Sequence, residues 1–172
     1  MKASAIYEII MCAVLILLQV LLMNQISLFG IGTPILYVYF LTKLPMGSNR
    51  FYVITLGFIV GFIIDIFLNT PGMNAAATTI VAVMRKPLMN LFFSKDDEFE
   101  DFVPGIYRSS GAFVRFVVAM VLLHQSLLFF IGAFSFFNLT NTLIRIGASS
   151  LITLVLIFAI DSLMYKKVAS EQ

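Results

Sequence analysis

The sequence predicts an all-α integral membrane protein with about six transmembrane helices, and composition, run length and charge placement each point to it. Of the 172 residues, 60% are hydrophobic and 12% are charged, whereas an average soluble domain is about a quarter charged. So little charge does not cover a water-exposed surface. Crossing the hydrocarbon as a helix takes roughly 20 apolar residues, because each rises about 1.5 Å. Runs of about that length follow one another, separated by turn-forming sequences, and together they use nearly the whole chain as one domain.

The expected spans are residues 5–23, 31–44, 51–68, 73–93, 112–133 and 141–164, with a loop at 94–111. In the first, Ile9 to Met23 runs into Asn24-Gln25 without a small-residue cleavage pattern, so it is expected to stay as a helix rather than act as a signal peptide. Phe29-Gly30-Ile31-Gly32-Thr33-Pro34 then marks a turn. Thr33 and Pro34 suit the cap and first turn of span two, which is short enough to be oddly tilted or partly re-entrant. Pro45 to Asn49 and Asn69-Thr70-Pro71-Gly72 bracket span three and predict a tight hairpin into span four. In span four, Arg85-Lys86-Pro87 either ends the helix early or marks a kinked inner half with snorkelling side chains. The loop opens on Ser94-Lys95-Asp96-Asp97, which resembles a capping box. Phe99, Phe102, Val103 and Ile106 continue at helical spacing, which suggests a short interfacial helix; its acidic face also fits a basic cytoplasmic partner.

Orientation follows from the basic residues, which cytoplasmic loops retain. Ten of eleven fall before span one, around the second and fourth connections, or after span six, and the exception is Arg145. Asn24 to Gly30, Asn69 to Gly72 and Phe134 to Thr140 carry no charge. Both termini are therefore expected in the cytoplasm. The small net charge of +2 lies between apolar blocks and gives no reason to expect nucleic acid. Cys12 is the single cysteine, which excludes an intramolecular disulfide and reads as small apolar filler.

A charged group inside the bilayer costs at least about 2.5 kcal/mol and needs a partner, a neutral form or a water-filled recess. Counting depth at 1.5 Å per residue places Asp65 and Arg145 both roughly 6 Å inside the outer boundary, so they are expected to pair. Glu8, Arg115 and Asp161 fall within about one turn of the inner boundary and are expected either to form a second polar layer or to snorkel separately. Asp65 and Asp161 lie roughly 20 Å apart in depth, too far to share a proton as a protease dyad. No H-E-x-x-H helix, cysteine pair or P-loop appears. Gln19, His124 and Gln125 form a candidate polar groove; His124 admits a proton relay, but a neutral histidine hydrogen-bonded to another helix is the preferred reading. Gly57, Gly61 and Asp65 recur every four residues and define a face where another helix can approach closely. The Ala75-Ala76-Ala77-Thr78-Thr79 run offers similarly small surface.

Gln19, Phe29-Gly30, Thr33-Pro34, the Gly57-Gly61-Asp65 face, Pro71-Gly72 and the alanine-rich span four come in an order that resembles the rod shape-determining protein MreD family, over essentially the whole chain. The resemblance implies a non-enzymatic inner-membrane subunit of the bacterial cell-elongation machinery, without cofactor or metal. Its implied partners are an MreC-like membrane protein, the MreB cytoskeleton and peptidoglycan synthases, with a homodimer also open. A six-helix fold similar to the substrate-binding subunits of ECF vitamin transporters is implied as well. That likeness keeps a second reading in play, a small-molecule-binding subunit, because fold alone does not decide function.

Overall fold

The computed structural model of the chain describes residues 5–23, 33–93, 103–105, 110–133 and 139–169. The described residues form helices and contain no strand. Helix α1 (Ala5–Leu18) continues into a single π-helical turn, Gln19–Met23. After it come α2 (Val38–Lys43), α3 (Arg50–Leu68), α4 (Met73–Phe92), α5 (Ser110–Ala133) and α6 (Leu139–Ala169). Three stretches, Arg50–Leu68, Ser110–Gly132 and Thr140–Leu163, are long and apolar enough to cross a membrane. Ile6, Ile9, Phe62, Ile66, Leu151 and Val155 point outward. On a soluble protein such a surface would be an aggregation liability; in a bilayer it faces chemically similar lipid.

Sequence explains where most helices start and stop. Asn49 caps α3, its side chain accepting a hydrogen bond from the Phe51 N–H at 2.9 Å. At the other end Asn69 adopts the left-handed conformation (φ 53°) and its N–H donates to the Asp65 carbonyl. Gly72, with φ 81°, turns the chain into α4 in a region that a side chain would strain. Helix α4 then runs through Pro87 to Phe92 instead of ending early. Its low hydropathy has a spatial reason. Asn74, Thr78, Val81, Ala82 and Arg85 are buried against α3, α5 and α2, while Ile80, Met84 and Leu91 form an outward stripe.

The centre of the bundle is not a helix along its length. The expected span at 31–44 starts as the non-helical segment Thr33–Leu36 and becomes helical only at α2. Thr33 is held extended because it precedes a proline, so Pro34 does not occupy a first helical turn. Every residue from Ile35 to Leu41 is at most 4% exposed, an all-round burial that no lipid-facing helix has. The loop 94–111 falls outside the described residues except for Val103–Gly105 and the start of α5, so the expected capping box, interfacial helix and acidic face there also lie outside them.

Candidate functional site: a buried polar network around a broken segment

Extended backbone inside a membrane has no neighbouring strand to bond, and each unsatisfied N–H or C=O in hydrocarbon costs several kcal/mol. Here side chains from three surrounding elements supply the missing partners. Gln19 bridges the segment, accepting from the Leu36 N–H at 2.7 Å and donating to the Pro34 carbonyl at 3.1 Å. From α6, the Ser149 hydroxyl accepts from the Thr33 N–H (3.1 Å) and the Thr153 hydroxyl from the Ile35 N–H (3.0 Å). Pro34 lies between them and has no N–H to place. Spacing makes the match possible: two extended residues advance about 6.6 Å and four helical ones about 6 Å, so Thr33 and Ile35 stay in step with Ser149 and Thr153. Gln125 on α5 completes the frame, donating to Thr153 Oγ1 at 3.3 Å.

A second set of polar groups joins the segment to the α3–α4 hairpin. Asp65 Oδ1 accepts from Thr70 Oγ1, the Asn74 N–H and Asn74 Nδ2, and Oδ2 from the Ala75 N–H, all at 2.8 or 2.9 Å. Its carboxylate thus serves as an N-terminal cap for α4 supplied by a different helix, where negative charge is also favoured by the helix dipole. The expected pair with Arg145 is not formed. Two free backbone N–H groups beside Asp65 and a short hairpin make a nearer set of donors, and Arg145 is exposed on α6. Equal depth fixed the height of the two side chains but not their position around the bundle.

The carboxylate also sets the direction of every bond beyond it. Because Asp65 only accepts, the Asn74 amide must turn its NH2 toward it and its oxygen away. That oxygen accepts from the Tyr37 hydroxyl at 2.7 Å. The Tyr37 proton is thereby committed, and the Thr78 hydroxyl is committed likewise to the Asn74 carbonyl at 2.6 Å. His124 Nε2, 3.1 Å from Tyr37 Oη and 3.3 Å from Thr78 Oγ1, must therefore carry the hydrogen that both oxygens accept. Its Nδ1 is left as a buried lone pair without a partner. Gln19, His124 and Gln125 do not line one groove. Gln19 and Gln125 hold the extended segment, and His124 ends the chain that begins at Asp65.

Gly57 and Gly61 lie against α4. A Cβ on Gly61 would sit 2.6 Å from Ala75 Cα and from the Asn74 carbonyl oxygen, and one on Gly57 would sit 2.8 Å from the Ala82 Cβ. The face brings α3 close enough for Asp65 to reach the head of α4.

At the opposite end, Glu8, Arg115 and Asp161 do not form the polar layer that was one of the two expectations; each has its own partner. Asp161 forms an ion pair with Lys43 and accepts from the Tyr39 hydroxyl at 2.7 Å. Lys43 also donates to the Pro104 carbonyl at 2.9 Å and lies over the Phe113 ring. Glu8 accepts from the Tyr52 hydroxyl at 2.9 Å, while Arg115 turns back to the Gly111 carbonyl of its own helix. Lys43, at the end of the broken segment, is closer to Asp161 than Arg115 is. Nor does Arg85 snorkel; its guanidinium is buried and donates to the Leu41 and Leu44 carbonyls, closing the open end of α2.

Sequence reasoning passed over Tyr37, Asn74, Ser149 and Thr153. The Ser149-x-x-x-Thr153 spacing in the middle of the last span was the available signal, since it puts two hydroxyls on one helical face. Among the described residues no cluster of three or more His, Cys, Asp or Glu is placed to hold a metal ion. No family model, no curated protein and no solved structure matches the chain.

Proposed function

We propose that this chain is a non-enzymatic scaffold subunit of the bacterial inner membrane, six-pass with both termini cytoplasmic, that works in the cell-elongation machinery. In this reading it binds an MreC-like membrane protein and helps position peptidoglycan synthesis alongside the MreB cytoskeleton. One observation supports it above others. Five of the residues on which the MreD resemblance rests, Gln19, Thr33, Gly57, Gly61 and Asp65, are among those that hold the broken segment and the α3–α4 hairpin in place. Their polar atoms are engaged with the protein's own backbone, as a rigid platform requires. A broken central segment walled by other spans also fits a six-helix arrangement like that of ECF substrate-binding subunits. Solubilisation from native membranes and co-purification is the test. An MreC-like protein or wall-synthesis proteins should come with the chain, and their absence under mild detergent sinks the scaffold reading. Reporter fusions at Asn69 to Gly72 and at the carboxyl end check the topology, with opposite sides expected.

The second reading, a small-molecule-binding subunit, is favoured by one feature, a cavity of about 310 Å³ beside Arg145. Thermal-shift screening against vitamins tests it, and no stabilisation by any of them counts against it.

A further inference from the structure

The cavity has two unlike walls. Asn141, Thr142 and Arg145 of α6 form one side, an amide, a hydroxyl and a guanidinium within little more than one helical turn. Facing them are Leu128 and Phe129 of α5 and Met73 at the head of α4. Among the described residues, Asp65 and Arg145 are the charged side chains at this end of the bundle. Asp65 accepts from Thr70, Asn74 and Ala75, and Arg145 brings a guanidinium to the cavity lining. Arg145 lies five residues into the apolar stretch that begins at Thr140, a depth of about 7.5 Å. From there an arginine side chain reaches the level of lipid headgroups.

From this juxtaposition we propose that the cavity binds the phosphate head of an anionic phospholipid, with Arg145 on the phosphate and the Leu128, Phe129 and Met73 wall against the upper part of a tail. A guanidinium matches phosphate oxygens in a two-pronged geometry. Neighbouring amide and hydroxyl groups accommodate the glycerol oxygens. The volume matches the lower end of small-molecule sites and suits a headgroup with its first few tail carbons. This assignment is independent of the scaffold reading, because it needs no partner protein.

Native mass spectrometry of the full chain in an uncharged detergent tests it, with dioleoyl phosphatidylglycerol, dioleoyl phosphatidylcholine and water-soluble glycerol 3-phosphate as probes. One phosphatidylglycerol is expected to bind in preference to phosphatidylcholine, about tenfold more weakly in Arg145→Gln and near the original strength in Arg145→Lys. Equal binding by folded Arg145→Gln overturns the proposal. Glycerol 3-phosphate binding as strongly as the lipid, with the same dependence on Arg145, overturns the lipid assignment in favour of a soluble phosphate ester. Should Arg145→Gln fail to fold, competition between the two lipids on the unaltered chain decides, and absence of preference for phosphatidylglycerol overturns it.

Discussion

Asp65 and Arg145 show how differently two membrane charges can be treated. Asp65 caps a helix with four accepted bonds, so Asp65→Ala strands the Asn74 and Ala75 N–H groups at about 1–3 kcal/mol each. Arg145→Ala, at an exposed position, should change stability by less than about 1 kcal/mol. Unfolding both variants by denaturant titration in mixed micelles checks the contrast, and rescue by an Asp65→Arg/Arg145→Asp double variant would show that they do pair. The directed chain predicts a gradient too. His124→Leu removes a donor from two oxygens whose own protons are placed elsewhere, a loss of about 1 kcal/mol. Asn74→Leu removes the link between Asp65 and Tyr37 and leaves both unmatched, so it should cost two to three times as much by the same titration.

At the scale of elements, the hairpin and the broken segment fail in different ways. Gly61→Ala puts a methyl against α4 backbone, which has no flexible end to move, and should destabilise by about 3 kcal/mol, at the upper end for overpacking. Gly57→Ala meets mainly the Ala82 methyl and should cost less. A reversed order in thermal unfolding would mean that α3 and α4 approach elsewhere. For the broken segment, Gln19→Leu removes both the acceptor for Leu36 and the donor for Pro34. The expected loss is about 2–5 kcal/mol, from two stranded backbone groups, read as a lower denaturation midpoint. Helix lengths and turns were legible beforehand because Asn49, Asn69 and Gly72 act locally. The extended start of span two was legible only as a shortage of length, since what holds it comes from Gln19, Ser149 and Thr153, far away in the chain.

For the whole molecule, Lys43 and Asp161 tie the end of the central segment to α6, and the Pro104 carbonyl accepts from the same ammonium. With side-chain exposures of 13% and 2%, the pair is well shielded from solvent. Breaking one side of such a pair costs about 3–5 kcal/mol, whereas removing both charges leaves neither stranded. A double-mutant cycle with Lys43→Met and Asp161→Leu should therefore show a double variant more stable than the two single effects summed, by at least about 1 kcal/mol. Strict additivity would deny the contact. Sequence by itself determined that the described residues are mainly helical with helices apolar enough for a bilayer, where Asn49, Asn69 and Gly72 turn the chain, and that Gly57, Gly61 and Asp65 share a helix face, because hydropathy, caps and periodicity are properties of neighbouring residues. Tertiary structure alone decided that Asp65 caps α4, that Lys43 rather than Arg115 meets Asp161, and that His124 ends a directed chain from Asp65. Depth along a helix can be counted from sequence, but the angle around the bundle that brings one side chain to another is fixed only when the helices pack.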